Sequence, residues 1–285
     1  MSREVRTIGV VGLGAMGAGI AQLAVEAGLE TVGHELELSR GEQARERIAH
    51  FLTRKVEKGT LAAGDRDAAI ARFRLTDDLA SLAECDVVIE AAFEDLAVKH
   101  QVFGALERIV APDAILATNT SALSVTEIAS VLVRPERAVG MHFFNPAPLM
   151  PLVEIVRAER TAADVAATAH ALGEQLGKTP IDCFDTPGFV VNRVLIPLLN
   201  DCVRVLDEAS VSPRNLDIGL ERGAGWLMGP CALLDPVGVD VHVHASEALY
   251  EKLREPRMAP PPRLVRMLKA GKLGRKSGEG FYSYD

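Results

Sequence analysis

A short apolar segment that runs into closely spaced glycines is the feature of this chain that most constrains its fold. Residues Thr7–Val11 form a β-branched apolar run, which is typical of a buried strand. Gly12, Gly14 and Gly17 follow at once, and residues 20–27 are apolar-rich at helical spacing. The order of strand, tight glycine turn and helix predicts the first unit of a parallel α/β sheet.

The glycine motif and the acid after the next strand together predict a dinucleotide site. The motif reads GLGAMG over residues 12–17, with Met16 inside it. Its glycines allow the backbone to approach a pyrophosphate, whose charge is stabilised at the helix N-terminus. A second predicted strand, residues 30–33, leads to Glu35, whose carboxylate is placed to bond ribose hydroxyls and to repel a 2′-phosphate. We therefore expect NAD rather than NADP, with Glu37 taking this role if the strand ends two residues later.

The order of strand and helix patterns predicts two domains. Strands and helices alternate as far as residue 185, with a long charge-rich helix over residues 38–58 inserted between strands. After Pro187 only helical patterns follow. The sequence predicts an α/β chain, with an N-terminal Rossmann-like doubly wound sheet over residues 1–185 and an all-helical C-terminal domain over residues 186–285 for substrate binding and dimerisation.

Charge and cysteine spacing exclude several classes of protein. A formal net charge of −8 argues against nucleic acid as a partner, and an anionic ligand would need a local basic patch. The four cysteines, Cys85, Cys183, Cys202 and Cys231, are far apart, so their spacing suggests neither a metal site nor disulfides. The longest apolar run, residues 189–199, is too short to span a membrane. We expect a cytoplasmic protein with no membrane partner.

Seven sequence blocks point to one enzyme family. They are GLGAMGAGIA from Gly12, FEDLAVK from Phe93, NTSALS from Asn119, GMHFFNPAPLMPLVEI from Gly140, DTPGFVVNR from Asp185, LMGPCALLD from Leu227 and GRKSGEGFY from Gly274. In this order they resemble the L-3-hydroxyacyl-coenzyme A dehydrogenase family, which includes 3-hydroxybutyryl-CoA dehydrogenases. The resemblance covers nearly the full chain and implies reversible NAD-dependent oxidation of (S)-3-hydroxyacyl-CoA to 3-ketoacyl-CoA by hydride transfer.

The resemblance also implies the catalytic residues. His142 matches the general base and Glu154 the carboxylate that assists it, and a histidine that titrates near neutrality suits proton transfer in both directions. Ser121 and Asn192 match residues that bond the reacting oxygen or position the base. Ser121 could instead cap the helix that starts at Val125, whereas Asn192, among apolar residues, needs a buried partner.

Four charged residues are assigned to ligands by the same resemblance. Glu94 and Lys99 match residues near the ribose and phosphate of the cofactor, although both could be solvated helix-end charges. Lys55 and Lys58 match the region that reaches the coenzyme A phosphates, and with Arg54 they would supply the basic patch that an acidic protein needs. A solvated helix face is the alternative for that patch.

Other functions and the assembly are open to prediction as well. The nearest alternative is a dehydrogenase of a free hydroxy acid or sugar acid on the same scaffold, and a noncatalytic NADH-binding protein is another. Related enzymes with a lysine acid/base rank third, because this chain offers a histidine and a glutamate. Pro197, Leu198 and Leu199 suggest more apolar surface than a small domain hides alone, so we expect a homodimer. The resemblance places the reaction in fatty acid metabolism.

Overall fold

A computed structural model describes residues 3–284. Along the chain these divide into two compact units, with the boundary between Thr186 and Pro187. The first unit contains an eight-stranded sheet. Its strands are β1 (Thr7–Val11), β2 (Glu30–His34), β3 (Phe73–Thr76), β4 (Val87–Glu90), β5 (Ile115–Thr118), β6 (Ala138–Phe143), β7 (Leu152–Arg157) and β8 (Thr179–Phe184). The predicted N-terminal doubly wound sheet is therefore confirmed.

The strand order places a ligand-binding crevice beside β1. The order is β3-β2-β1-β4-β5-β6-β7-β8, so successive crossovers run to opposite sides of β1. In open α/β sheets, ligands bind beyond the carboxyl ends of strands at such a reversal. The β4 and β5 strands are buried along their whole length, as expected for parallel strands covered by helices on both faces. One pair departs from the parallel pattern, because β6 and β7 are antiparallel.

Six helices accompany the sheet within the described part of the first unit. They are α1 (Ala15–Glu26), α2 (Leu38–Glu57), α3 (Ala63–Ala71), α4 (Leu96–Ile109), α5 (Val125–Ala129) and α6 (Ala163–Gln175). The α2 and α3 helices pack on each other between β2 and β3 in the chain, which is the predicted insertion. Apolar side chains form one core cluster around α1 and a second around α4, as a two-faced sheet requires.

The second unit is built from helices, as predicted. They are α7 (Val191–Glu208), α8 (Pro213–Gly223), α9 (Pro230–Val237), α10 (Val239–Leu253) and α11 (Pro262–Lys269). Between Pro187 and Tyr284 the structure has no strand, only isolated bridges in the tail such as Gly274 to Glu279. No helix among residues 3–284 is long and apolar enough to cross a membrane.

The apolar residues of α7 from which a partner was predicted differ in exposure, and Leu198 is half-buried. Pro197 and Leu199 are buried inside the unit itself, because they face inward from α7. Leu199 packs in a core cluster with residues of α9, α10 and α11 that include Leu234, Val243 and Leu264. These residues are therefore not surplus apolar surface that calls for a partner.

Candidate active site

The glycine turn leaves space and donors for a phosphate. Gly12 has φ +86°, which favours glycine, and a Cβ on Gly17 would lie 1.8 Å from the Gly12 carbonyl oxygen. A Cβ on Gly14 would meet no atom within 4 Å, so this position faces open space. The α1 helix starts there without a side-chain cap or an acidic first turn. These features fit a dinucleotide pyrophosphate. The Met16 side chain instead packs against the sheet core.

Glu35, and not Glu37, reaches the glycine turn. A Glu35 carboxylate oxygen (Oε2) accepts a hydrogen bond from the backbone N–H of Leu13 at 3.0 Å. Glu37 precedes α2 and forms an exposed ion pair with Arg40. Arg47 on α2 donates to the Leu13 carbonyl oxygen at 3.1 Å, a contact that no sequence pattern predicted. The acid is thus placed beside the turn, where the adenosine ribose of a dinucleotide lies.

His142 and Glu154 form a buried pair across two antiparallel strands. They are directly opposite each other in the β6 and β7 register. The His142 Nδ1 atom lies 2.6 Å from Glu154 Oε2, and the two residues are only 5% and 0% exposed. Because an ionised carboxylate only accepts hydrogen bonds, Nδ1 carries the hydrogen of the neutral ring. Nε2 is then the ring atom that can accept a proton.

Two residues that the sequence did not single out hold this histidine in place. The Phe144 ring packs against the imidazole with the ring centroids 4.6 Å apart. Asn119, directly after β5, accepts a hydrogen bond from the backbone N–H of Phe143 at 2.9 Å. The carboxyl end of β5 is therefore fastened to the strand that carries His142. A polar residue at the end of a buried strand was the sequence signal for Asn119.

Ser121 is not a helix cap. Ser124 caps α5, and its hydroxyl accepts a hydrogen bond from the backbone N–H of Glu127 at 3.1 Å. Ser121 instead lies in the exposed turn after β5, and its backbone N–H donates to Glu94 at 2.9 Å. The capping alternative is therefore wrong, and the Ser121 hydroxyl is on a turn at the carboxyl edge of the sheet.

Lys99 is not a solvated helix-end charge either. Its side chain is 1% exposed, and its ammonium lies 2.8 Å from Glu90 and 3.3 Å from Glu94. Glu94 is more accessible, because its side chain remains 39% exposed. Glu90 was absent from the residues predicted from the sequence, although a glutamate that ends a fully apolar strand is an unusual signal.

The basic residues near the end of α2 point in different directions. Lys55 lies against α1 and forms an ion pair with Glu26 at 2.5 Å. Arg54 and Lys58 are exposed. The structure therefore separates Lys55 from the other two cations of the predicted patch.

Asn192 and the four cysteines complete the residues named from the sequence. Asn192 is half-buried in the first turn of α7, in the second unit. Within residues 3–284 no group of three or more His, Cys, Asp or Glu side chains could hold a metal ion. The four cysteines are free thiols, and burial raises the pKa of Cys85 to about 12. That thiol is therefore protonated and unreactive at neutral pH.

The glycine turn, the acid beside it and the buried histidine–carboxylate pair define a dinucleotide-dependent dehydrogenase. The family model of the 3-hydroxyacyl-CoA dehydrogenase NAD-binding domain matches residues 7–186. The model of the C-terminal domain of the same enzymes matches residues 188–284. The chain belongs to the 3-hydroxyacyl-CoA dehydrogenase family. The resemblance noted in the sequence and the choice of NAD are both confirmed.

Full-length relatives share this family. The chain is 40% identical to a 3-hydroxybutyryl-CoA dehydrogenase of Mycobacterium tuberculosis, with 100% of both chains covered. It is 38% identical to a 3-hydroxyadipyl-CoA dehydrogenase of Escherichia coli, covering 100% of this chain and 60% of that protein. The crystal structure of (S)-3-hydroxybutyryl-CoA dehydrogenase from Ralstonia eutropha matches with a TM-score of 0.95 and 39% identity, covering 99% of this chain and 100% of the other.

Proposed function

We propose that this chain catalyses the reversible, NAD-dependent oxidation of (S)-3-hydroxyacyl-CoA to 3-ketoacyl-CoA. The observation that carries the proposal is the buried pair of His142 and Glu154 at the carboxyl edge of a dinucleotide-binding sheet. Relatives named for 3-hydroxybutyryl-CoA and 3-hydroxyadipyl-CoA support a coenzyme A thioester as the substrate. They differ in the acyl group, so the proposal covers the class of thioester and not one chain length.

The cofactor would be held by the first unit. Gly12, Gly14 and Gly17 provide the turn against which the pyrophosphate packs, and Glu35 bonds the ribose hydroxyls. Glu94, exposed near the end of β4, would face the ribose on the nicotinamide side. When bound, NAD supplies the acceptor for the hydride that leaves the substrate carbon.

The protein's own residues would move the proton. His142 takes the proton of the 3-hydroxyl at Nε2, because Nδ1 is engaged by Glu154. Glu154 stabilises the imidazolium that results and fixes the ring orientation, as a carboxylate does in a hydrolase triad. Ser121 and Asn192 would donate hydrogen bonds to the reacting oxygen, which gains negative character during the reaction.

The coenzyme A phosphates would bind at α2. We assign them to Arg54 and Lys58, which are exposed and lie four residues apart on the helix and its C-cap. Lys55, which the sequence also suggested, has its ammonium against Glu26, and this ion pair weighs against a role in phosphate binding. A local pair of cations overcomes the net charge of −8 for an anionic ligand.

A substrate panel tests the proposed function. Purified protein is given NADH with acetoacetyl-CoA, longer 3-ketoacyl thioesters, a pantetheine thioester and free 3-keto acids, and the loss of NADH absorbance is followed. We expect turnover of the thioesters and little turnover of the free acids. Turnover of the free acids alone would favour the hydroxy-acid alternative, and NADH binding without turnover of any substrate would favour a noncatalytic protein.

The proposal also covers the assembly and the cellular setting. A homodimer formed through the second unit is supported by apolar side chains exposed on its surface, namely Val194, Val205, Ile218, Leu227, Val237 and Val241. A cytoplasmic location is supported by four free cysteines, which suit a reducing compartment. The reaction class suits fatty acid metabolism.

A further inference from the structure

A fully buried ion pair lies beneath the active site, and the proposed chemistry does not use it. Glu90 ends β4 and Lys99 lies on α4, and their side chains are 0% and 1% exposed. The Lys99 ammonium donates to both carboxylate oxygens of Glu90, at 2.8 and 3.0 Å. A buried ion pair adds little net stability, because desolvation offsets the attraction. The pair therefore acts mainly by holding other groups in place.

Glu90 is fixed from three directions. Besides Lys99, its carboxylate accepts hydrogen bonds from the Thr118 hydroxyl at 2.7 Å and from the backbone N–H of Ala92 at 2.7 Å. Thr118 ends β5, and Ala92 begins the loop that leads to Glu94. The carboxylate thus connects the ends of two neighbouring strands, and it gives the Lys99 ammonium a single fixed location.

From that location Lys99 also acts on Glu94. The ammonium lies 3.3 Å from Glu94 Oε2, while Glu94 Oε1 accepts hydrogen bonds from the Thr120 hydroxyl at 2.6 Å and from the backbone N–H groups of Ser121 and Ala122 at 2.9 and 3.0 Å. Burial alone would raise the pKa of the Glu94 carboxyl. The charge of Lys99 and these three hydrogen bonds outweigh burial and lower that pKa. An ionised Glu94 is therefore what holds the turn that carries Ser121.

We propose that Glu90 and Lys99 are positioning residues, which keep Glu94 in place beneath the Ser121 turn. Lys99 supplies the positive charge that keeps Glu94 an acceptor for three donors, and Glu90 fixes that charge. This inference rests on the proposed role of Ser121 in binding the reacting oxygen. The expectation from the sequence that Lys99 lies near the cofactor stays a prediction.

The test is the pH profile of ketoacyl-CoA reduction by Lys99→Met. Without the ammonium, Glu94 takes up a proton at a higher pH and the turn loses an acceptor. We expect kcat/KM at pH 8 to fall about tenfold, the effect of one lost charged hydrogen bond. Below pH 7 a further loss should develop that the wild type lacks. The reduction direction is informative because protonation of His142 favours it, so His142 cannot produce an acidic loss.

Lys178→Met is the matched control, because Lys178 is also a buried lysine. It donates to the carbonyl oxygens of Ala147 and Met150 at 2.6 and 2.9 Å. We expect this variant to lose a similar amount of thermal stability while its pH profile keeps the wild-type shape. Equal profiles for the two variants would overturn the proposal and make Lys99 a structural residue only.

A double variant covers the case in which Lys99→Met alone does not fold. The double variant Glu90→Gln/Lys99→Met removes both buried charges, so it should recover melting temperature relative to Lys99→Met and still show the acidic loss, because Glu94 still lacks its cation. Recovery of the wild-type profile in the double variant would overturn the proposal. If the wild type reduces no thioester, the proposed function fails, and the same acidic loss is then sought in NADH binding measured by fluorescence.

Discussion

At the scale of single residues, the catalytic assignment depends on which nitrogen of His142 is engaged. The residue types could be predicted from the sequence, because His142 and Glu154 stand in a block that resembles one family. Which ring nitrogen faces the carboxylate could not be predicted, since this depends on the strand register that sets Glu154 opposite His142. The structure places Nδ1 against the carboxylate and so leaves proton transfer to Nε2.

His142→Gln should lower turnover by roughly 10²- to 10⁴-fold, because glutamine cannot carry the proton. NADH binding should stay nearly unchanged, since the glycine turn and Glu35 are on other loops. In the wild type, oxidation should gain rate with rising pH and reduction should lose it, because oxidation needs the neutral imidazole. Steady-state kinetics measure the turnover and its pH dependence, and fluorescence titration measures NADH binding. If the variant keeps more than about a tenth of wild-type turnover, its activation barrier has risen by less than ~1.4 kcal/mol, and His142 is excluded as the base.

Glu35→Gln should narrow the preference for NAD over NADP by about tenfold or more, because a charged acceptor for the ribose hydroxyls is lost. The ratio of kcat/KM for the two cofactors measures the effect. Glu37→Gln is the control, since Glu37 is exposed and paired with Arg40. A narrowed ratio in the control and not in Glu35→Gln would contradict the assignment of Glu35.

At the scale of helices and strands, the sequence predicted best where an element is apolar and bounded by turn residues. β1 has the predicted bounds, because its β-branched apolar run ends at Gly12. The α9 and α11 helices had no predicted bounds, and each begins at a proline and is eight residues long. Proline at the first helical position is in fact compatible with a helix.

The α2 helix carries a prediction about coenzyme A. Arg54→Ala and Lys58→Ala should each raise KM for a coenzyme A thioester about fivefold, the effect of an exposed contact worth ~1 kcal/mol. Salt should weaken the effect, and a pantetheine substrate should not show it. Lys55→Ala is the comparison, which should lower the melting temperature by leaving Glu26 unpaired. If Lys55→Ala raised KM most, the assignment of the patch would be wrong.

The α10 helix carries a prediction about acid stability. The His242 Nε2–H group donates a hydrogen bond to the side-chain oxygen of Asn200 at 2.9 Å, and burial lowers the pKa of His242 from 6.5 to about 4. The unfolded chain therefore binds a proton that the folded chain does not between pH 6.5 and 4. Over that window the unfolding free energy should fall by about 3 kcal/mol as pH is lowered.

Urea unfolding followed by the fluorescence of Trp226 measures this effect, because Trp226 is the single tryptophan and packs in the core of the second unit. His242→Gln should flatten the pH dependence. His244→Gln on the exposed side of the same helix should leave it steep. An equal dependence in the His242 and His244 variants would show that other groups are responsible.

At the scale of the whole molecule, the class of each domain could be predicted, but the polar contacts inside the first unit could not. Periodicity distinguishes a sheet from helices, and the seven sequence blocks identified the family. The network of Glu90, Lys99 and Glu94 could not be predicted from the sequence, because it joins residues of a strand, a helix and a loop that only the folded sheet brings together.

The assembly is the remaining prediction at this scale. Light scattering should give the mass of a dimer, about twice 30.6 kDa. Val194→Asp with Val241→Asp, both on the exposed surface of the second unit, should shift the protein to monomer. Val133→Asp in the first unit, where Val133 is also exposed, should not. A monomeric wild type would contradict the homodimer.

The antiparallel pairing of β6 and β7 has a consequence for how this active site can be altered. The strand ladder, and not the loop between the strands, fixes His142 opposite Glu154. Residues could therefore be added around Leu149, in the connecting loop, at little cost to the pair. One residue inserted inside either strand would turn one partner to the opposite face of the sheet. Protein engineering can therefore change the length of this loop and keep the pair, but it cannot change the length of either strand by one residue and keep it.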